Sequence, residues 1–143
     1  MIILKTIISL SLILNFSNLA ADNSVTVPSP KVITSAYTNI REKDNWVIVP
    51  GGTKEITIYV EAQNTETVLF WLIPTGTETW WERKLIGYDI NEDKGNKLNE
   101  TQKYSLTWKI DEPFLHNHLV VELIGKNEVK DGGSINIYME NTK

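Results

Sequence analysis

Residues 55–62, EITIYVEA, alternate between polar and apolar side chains without interruption. The apolar positions are Ile56, Ile58, Val60 and Ala62. Successive side chains of a β-strand point to opposite faces, so this period of two indicates a strand with one face in a core and the other in water. It is the clearest strand of the sequence, and it predicts a β fold.

The flanking segments repeat this signal between turn residues. The Gly51-Gly52 pair follows a short β-rich run at 46–49, and residues 68–73, VLFWLI, are apolar on both faces and end at Pro74. We expect this second run to be a central strand that is packed on both sides. Further strands are predicted at 32–37, 83–90 (with a possible bulge at Gly87), 104–110, 119–123 and 135–139.

The three tryptophans outside the 75–83 segment fit alternating core positions in these runs. They are Trp46, Trp71 and Trp108. Turn signals recur about every 8 to 14 residues, and no segment keeps a helical period. This spacing is typical of an all-β sandwich of about seven strands rather than of alternating strands and helices.

The order of these features resembles that of bacterial immunoglobulin-like domains in secreted and surface proteins. The resemblance covers residues 32–141: Gly-Gly precedes an alternating strand, then come VLF with a Pro-x-Gly turn, LIG at 85–87, YSLTW at 104–108 and a final SINI at 134–137. It implies an immunoglobulin-like β-sandwich of antiparallel strands. Such domains serve as spacers, adhesins, carbohydrate binders and enzyme appendages, so the resemblance does not select one function. The Cys-Trp-Cys core of antibody domains is absent from the sequence.

The N-terminus carries the features of a secretory signal peptide over residues 1–21. Lys5 precedes the apolar run 6–16, TIISLSLILNF, and small residues follow at Ser17, Ala20 and Ala21. The apolar run is shorter than the roughly 20 residues that a membrane-spanning helix needs, so we expect cleavage and no stable membrane span afterwards. An uncleaved N-terminal anchor is the alternative. Residues 22–31 are predicted to form an extended leader, and with no lipid-attachment cysteine and no apolar C-terminal tail we expect a secreted, extracellular protein.

Composition excludes several classes of function. The chain has 143 residues with 14 basic and 18 acidic side chains, and its lysines and arginines are scattered singly. Nucleic-acid binding needs clustered positive charge, so no nucleic-acid partner is predicted. The sequence has no cysteine, which excludes disulfides and thiolate metal sites. Stability must therefore come from a packed core.

The loop at 89–100 resembles an EF-hand calcium loop. The predicted oxygen ligands are Asp89, Asn91 and Asp93 at the first, third and fifth positions and Glu100 at the twelfth. The pattern departs at its sixth position, where Lys94 replaces the required glycine and Gly95 comes one residue late. Ordinary loop composition is the alternative, because Asp, Asn and Gly are common in loops. Apart from calcium at this loop, no cofactor is predicted.

Trp80 and Trp81 lie in the polar segment 75–83 between two predicted strands. Flat indole faces can stack on a sugar ring or on an aromatic group of a protein, so the pair is a candidate binding platform for an extracellular carbohydrate or protein. Adjacent residues of a strand point to opposite faces, however, so one of the two can instead belong to the core.

His116 and His118 are two residues apart and share a face if they lie on a strand. With Asp111 or Glu112 they are a candidate zinc or copper site, against the alternative of two surface histidines. The sequence contains no nucleophile elbow, zincin motif or phosphate-binding glycine loop.

We therefore predict a secreted, non-catalytic, immunoglobulin-like module for binding or spacing at the cell exterior. The sequence leaves the ligand open. Two alternatives remain: a secreted hydrolase or an inhibitor of one, and a calcium-stabilised structural domain.

Overall fold

The computed structural model describes residues 24–76, 80–92 and 98–142, and it contains two β-sheets around one core. The signal peptide predicted at 1–21 lies outside the described residues. The strands are β1 (Lys31–Thr38), β2 (Glu42–Lys43), β3 (Trp46–Val49), β4 (Glu55–Gln63), β5 (Thr67–Pro74), β6 (Lys84–Ile90), β7 (Gln102–Lys109), β8 (His116–Ile124) and β9 (Val129–Met139). One short 3₁₀ turn, η1, spans Trp80–Glu82. The prediction of an all-β, sandwich-like fold is confirmed.

The smaller sheet has the order β1-β4-β7, and the larger has the order β2-β3-β9-β8-β5-β6. The described residues form nine strands rather than about seven. The run at 46–49 is β3, whereas the two-residue strand β2 was not indicated by the sequence pattern. The expectation of purely antiparallel pairing is wrong at one place, where β3 runs parallel to β9. A parallel pair joins strands that are distant in sequence, and local patterns do not report its direction.

The inner face of β4 confirms the alternation on which the fold was predicted. Ile56, Ile58, Val60 and Ala62 are completely buried, and β4 pairs with β7 so that Ile56 faces Trp108. Burying these side chains stabilises the sandwich by roughly 1.5–3 kcal/mol for each large apolar residue. The core cluster draws on both sheets and consists of Val47, Val49, Ile56, Ile58, Val60, Ala62, Val68, Phe70, Leu72, Tyr104, Trp108, Leu115, Leu119, Val121, Leu123, Ile135 and Ile137.

Strand β5 differs from its prediction as a strand packed on both sides. Val68, Phe70 and Leu72 are buried on the inner face, whereas Leu69 and Trp71 are only half-buried on the outer face. Within the described ranges no further sheet covers that outer face, although Ile73 near the end of β5 is buried.

The same outer face explains the positions of the tryptophans. Trp108 is buried, as predicted, but the prediction of a core position is wrong for Trp46 as well as for Trp71. The Trp46 ring lies on the outer face of the larger sheet, with its centroid 5.8 Å from that of Tyr138. An aromatic residue in a strand thus needs a known facing layer before it can be assigned to a core.

The bulge predicted at Gly87 is present. The β5–β6 register shifts between Phe70 and Trp71, whose partners on β6 are Gly87 and Leu85. A β-carbon at position 87 would lie 2.6 Å from Cδ1 of Leu106 in the other sheet. Glycine at this position leaves room for the Leu106 side chain where the two sheets approach closely.

Residues 24–30 precede β1 without forming a strand or helix. The Asn64 side chain donates a hydrogen bond to the Ser29 carbonyl at 3.3 Å, and Pro30 is buried. These contacts hold the end of the segment against the sandwich. None of the helical structure within the described ranges is long and apolar enough to cross a membrane.

Candidate functional site

Both tryptophans of the predicted platform are exposed. Trp80 is 46% exposed and Trp81 is 71% exposed, and we call this pair the Trp platform. They lie in η1, which is closed by a hydrogen bond of 3.3 Å from the Arg83 amide to the Trp80 carbonyl. In a 3₁₀ turn adjacent residues are about 120° apart rather than on opposite faces. The alternative that one of the two belongs to the core is therefore wrong.

Arg83 fixes the base of the Trp platform. Its guanidinium carbon lies 4.3 Å from the ring centroid of Trp71 and 4.5 Å from that of Trp80. A cation held against aromatic faces at this distance contributes about 0.5–1 kcal/mol at exposed sites. Arg83 thereby links η1 to the outer face of β5.

Glu122 of β8 completes the base of the platform. It accepts a hydrogen bond of 2.8 Å from Nε1 of Trp71, and its second oxygen lies 3.6 Å from Nη1 of Arg83. The arginine charge is thus balanced by a neighbouring carboxylate. Sequence reasoning missed this network, although Glu122 stands between the core positions Val121 and Leu123, which places it on the outer face.

A row of exposed apolar side chains continues from the Trp platform along β6. Leu85, Tyr88 and Ile90 are 44%, 60% and 45% exposed, and we call them the β6 stripe. Their partners on β5 are Trp71, Leu69 and Thr67, so they lie on the outer face of the sheet. The β6 stripe therefore leaves apolar side chains exposed on the outer face of the larger sheet.

Two residues of the predicted calcium loop, Asp89 and Asn91, are hydrogen-bonded to residues of β7. Oδ2 of Asp89 accepts a hydrogen bond of 2.9 Å from the Ser105 amide, and the Asn91 side chain is hydrogen-bonded to Tyr104. Glu100 is exposed, and Asp93 lies outside the described residues. Across the ranges 24–76, 80–92 and 98–142, no group of three or more His, Cys, Asp or Glu side chains could hold a metal ion. The calcium site stays a prediction.

We expect millimolar calcium to leave the melting temperature of the protein unchanged. Asp89 and Asn91 already have hydrogen-bond partners, and a ligand stabilises a fold only to the extent that it binds the folded state. Differential scanning calorimetry with calcium, with magnesium and with a chelator measures this directly. A rise in melting temperature that is specific to calcium would instead support the calcium-stabilised structural domain.

The carboxylates proposed beside the histidines are engaged elsewhere. Lys84 donates hydrogen bonds to Oδ2 of Asp111 at 2.7 Å and to Oε1 of Glu112 at 3.1 Å. These hydrogen bonds raise the pKa of Lys84, and the Lys84 bond lowers the pKa of Asp111. Because Lys84 and Asp111 are exposed and Glu112 is only half-buried, the ion pairs contribute little to stability.

Both histidines are bound through Nδ1 to neighbouring polar side chains. The Nδ1 atom of His116 lies 2.6 Å from Oγ1 of Thr75, and that of His118 lies 2.7 Å from Oδ1 of Asn136. The His116 ring also packs on Trp46, with centroids 5.2 Å apart. These contacts agree with two surface histidines held by hydrogen bonds.

One cavity of about 260 Å³ lies at a different part of the surface. It is lined by the turn after β3, the β7–β8 connection and the C-terminal segment, and Phe114 in its wall is 64% exposed. Neither Trp80 nor Trp81 belongs to its lining. The platform is accordingly a surface site rather than the wall of this cavity.

Comparison with known proteins informs the fold and not the ligand. No protein-family model and no curated protein matches the sequence. A chain of the solved structure "Structural basis of T cell specificity and activation by the bacterial superantigen toxic shock syndrome toxin-1" is similar, with a TM-score of 0.52 and 12% identity over 77% of this chain and 100% of that chain. At this level of identity the likeness supports an all-β, sandwich-like fold and nothing further.

Proposed function

We propose that the protein is a secreted, non-catalytic binding module of the immunoglobulin-like type, and that its Trp platform holds an extracellular polysaccharide. The observation that carries the proposal is the exposure of two adjacent indoles, 46% for Trp80 and 71% for Trp81, on a turn held by Arg83. Burying most of Trp81 against a ligand would remove a large apolar surface from water.

The strand order supports the immunoglobulin-like type. In such sandwiches the first sheet contains strands A, B and E, and the second contains C, F and G. The order β1-β4-β7 corresponds to A, B and E, and the run β5-β8-β9 within the larger sheet corresponds to C, F and G. Strand β6 then takes the place of the additional strand beside C in variable-type domains.

The chemistry of the platform favours a polysaccharide. A pyranose ring has an apolar C–H face that stacks on an indole and a rim of hydroxyl groups that needs polar partners. Exposed Glu82 and the remaining N–H groups of Arg83 lie next to the indoles in sequence and supply such partners. A polymer that lies along the surface also suits a site that is not part of the 260 Å³ cavity.

The environment of the adjacent acids Asp111 and Glu112 supports a non-catalytic role for this pair. A carboxyl group that acts as a general acid near neutral pH needs a raised pKa. The adjacent acids Asp111 and Glu112 are both hydrogen-bonded to Lys84, which lowers the pKa of Asp111. Asp111 is therefore not set up as the general acid of a hydrolase.

Retention on insoluble cell-wall polysaccharide tests the proposal. Replacing Trp80 and Trp81 together with alanine should weaken retention by about 10-fold or more, because each stacked ring contributes roughly 0.5–1.5 kcal/mol beyond its buried area. Phe114→Ala is the matched control, since Phe114 is 64% exposed and lies away from the platform. Equal retention of the double variant and the wild type would refute the polysaccharide platform.

Arg83 provides a second arm of the same experiment. Arg83→Ala removes the group between Trp71 and Trp80, so retention should fall by less than in the double tryptophan variant. Arg83→Lys keeps a positive charge near Glu122 but loses the planar stacking, and should give an intermediate value. Retention that does not depend on position 83 would show that the platform needs no support from β5.

A further inference from the structure

A second group of aromatic rings lies on the outer face of the larger sheet. The ring centroid of Trp46 on β3 lies 5.2 Å from that of His116 on β8 and 5.8 Å from that of Tyr138 on β9. Trp46 and Tyr138 are half-buried, and His116 is exposed. We call these three residues the Trp46 cluster. Contacts from two other strands therefore position the Trp46 ring.

Strand register places the Trp46 cluster and the Trp platform on the same face. His116 is the cross-strand partner of Tyr138, and Val120, further along β8, is the partner of Trp71. Side chains separated by an even number of residues on a strand share a face, so His116, Val120 and Trp71 all lie on the outer face. Trp71 contacts the Trp platform through Arg83. The cluster and the platform are thus two aromatic regions of one surface.

The strand order sets the distance between these two regions. Trp46 lies on β3 and Trp71 on β5, and β9 and β8 lie between them. Neighbouring strands are about 4.8 Å apart, so the two backbones are separated by roughly 14 Å. The Trp platform lies beyond β5, on the turn that leads to β6. A single sugar ring is too short to stack on both regions, whereas a chain of several rings is long enough.

The surface between the two regions presents hydrogen-bonding groups. Ser134 is exposed, and His118 and Asn136 are half-buried. Nδ2 of Asn136 donates to the Asn45 carbonyl at 3.0 Å, so its Oδ1 accepts the 2.7 Å hydrogen bond from Nδ1 of His118. A hydrogen on Nδ1 leaves Nε2 of the neutral imidazole as an acceptor. Ile73, the partner of His118 on β5, is buried and offers no contact surface. The polar groups here therefore suit the hydroxyl groups of a sugar.

The charges on this surface favour a ligand without charge. Glu122 and Arg83 lie near the platform, 3.6 Å apart, and each balances the other. Asn136, Ser134 and Val120, between the two regions, are uncharged. A sulfate or carboxylate group in a ligand would lose water here without gaining a free positive charge, which is unfavourable.

We propose that the polysaccharide site extends from the Trp platform across the outer face of the larger sheet to the Trp46 cluster, and that it takes an uncharged, linear polysaccharide. The inference rests on the proposed function and adds to it a length for the site and a charge for the ligand. One sugar ring stacks on the platform and another on Trp46. The rings between them form hydrogen bonds with His118 and Ser134.

Oligosaccharides of two lengths test the extent of the site. Disaccharides and hexasaccharides are released by partial hydrolysis from the cell-wall polysaccharide of the retention experiment, and calorimetry measures their binding. The wild type should bind the hexasaccharide more tightly. Trp46→Ala should weaken hexasaccharide binding by about 3- to 10-fold, the contribution of one stacked ring. Tyr59→Ala is the matched control, because Tyr59 is also half-buried and stacked, on the outer face of the smaller sheet.

The outcomes separate this inference from the proposed function. If the double variant of Trp80 and Trp81 loses retention but Trp46→Ala binds the hexasaccharide like the wild type, the inference is overturned and the proposed function stands. If the wall polysaccharide does not retain the wild type, both fail. Equal affinity of the wild type for the two lengths would also overturn the inference and would leave the Trp46 cluster to an extended protein segment.

His116→Ala is a second variant in case Trp46→Ala does not fold. His116 is exposed, so its truncation leaves the core intact, but it removes a ring that packs on Trp46. Hexasaccharide binding should fall by about 2- to 3-fold, less than for loss of the indole itself. Phe114→Ala, which truncates another exposed ring nearby in sequence, should bind like the wild type. Equal binding by the two variants would count against the Trp46 cluster.

Two ethers of the same polysaccharide test the charge of the ligand. Hydroxyethylation and carboxymethylation both modify sugar hydroxyls, but only carboxymethylation adds negative charge. At about 0.15 M salt, which screens the net charge of the protein, the wild type should bind the hydroxyethyl ether several-fold more tightly. Equal binding, or a preference for the carboxymethyl ether, would overturn the assignment of an uncharged ligand.

Discussion

Phe70→Ala is expected to lower the free energy of unfolding by about 3–5 kcal/mol, the range for removal of a buried aromatic side chain. Phe70 is 1% exposed and lies on the inner face of β5, opposite Val121 on one side and Gly87 on the other. Leu106 already fills the space above Gly87. The neighbours of Phe70 therefore have little room to collapse into the cavity, so the loss should fall in the upper part of the range.

Urea unfolding, followed by tryptophan fluorescence, measures this loss. Leu69→Ala is the matched control, because Leu69 is the preceding residue of β5 and lies on the half-buried outer face. Its truncation creates no enclosed cavity and should cost less than half as much as Phe70→Ala. Similar losses for the two variants would mean that the outer face of β5 is covered as thoroughly as the inner face.

The contrast between these two neighbours shows how far the sequence predicts the fold. The polar positions of residues 55–62 fix which face of β4 is buried, because they would be costly in a core. Residues 68–73 contain no polar side chain, so the sequence permits either face, or both, to be buried. Only the tertiary arrangement decides that Phe70 is buried and that Trp71 is half-buried.

The candidate site shows the same limit at longer range. The exposure of Trp81 follows from its polar segment, and the sequence indicates it. The sequence does not indicate the network of Trp71, Arg83 and Glu122 that supports the Trp platform. Trp71 and Glu122 are 51 residues apart, and they meet because β5 and β8 are neighbours in the larger sheet. Pairing across such a separation depends on strand order and register, which single-sequence patterns leave open.

Local backbone geometry explains why both indoles are exposed, although the sequence allowed one of them to lie in the core. The alternative that one tryptophan lies in the core assumed that both residues belong to a strand, where neighbours point to opposite faces. Residues 80–82 instead form a 3₁₀ turn, and both indoles face outward. The polar segment 75–83 is too short for its hydrophobic periodicity to distinguish a turn from the end of a strand.

Stability should also fall as the pH rises from about 10 to about 12, and Tyr104 should be the main cause. The Tyr104 hydroxyl donates a hydrogen bond to the Thr65 carbonyl, and the side chain is 2% exposed. Burial raises the pKa of Tyr104 to about 12, the Asn91 hydrogen bond lowers it, and the Asp89 charge raises it. In the unfolded chain the pKa of a tyrosine is about 10. The folded state therefore disfavours the phenolate.

The direction of the effect follows from this order of pKa values. The raised pKa contributes its full stability below about pH 10, and that contribution is lost as the pH rises through about 12. A difference of about two pKa units corresponds to roughly 2–3 kcal/mol. The Lys84 ion pairs weaken over the same range, because deprotonation removes the charge that binds Asp111 and Glu112.

Tyr104→Phe separates the two effects. At pH 7 the variant should be less stable by about 1–3 kcal/mol, because the buried Thr65 carbonyl loses its hydroxyl donor. The variant keeps the Lys84 ion pairs but cannot form a phenolate at position 104, so its stability should decline less steeply above pH 10 and the difference from the wild type should shrink.

Urea unfolding at several pH values measures the difference, and absorbance near 295 nm follows the late titration of one of the five tyrosines. A difference that stays constant from about pH 9 to about pH 12 would show that the Tyr104 hydroxyl ionises as readily in the folded protein as in the unfolded chain.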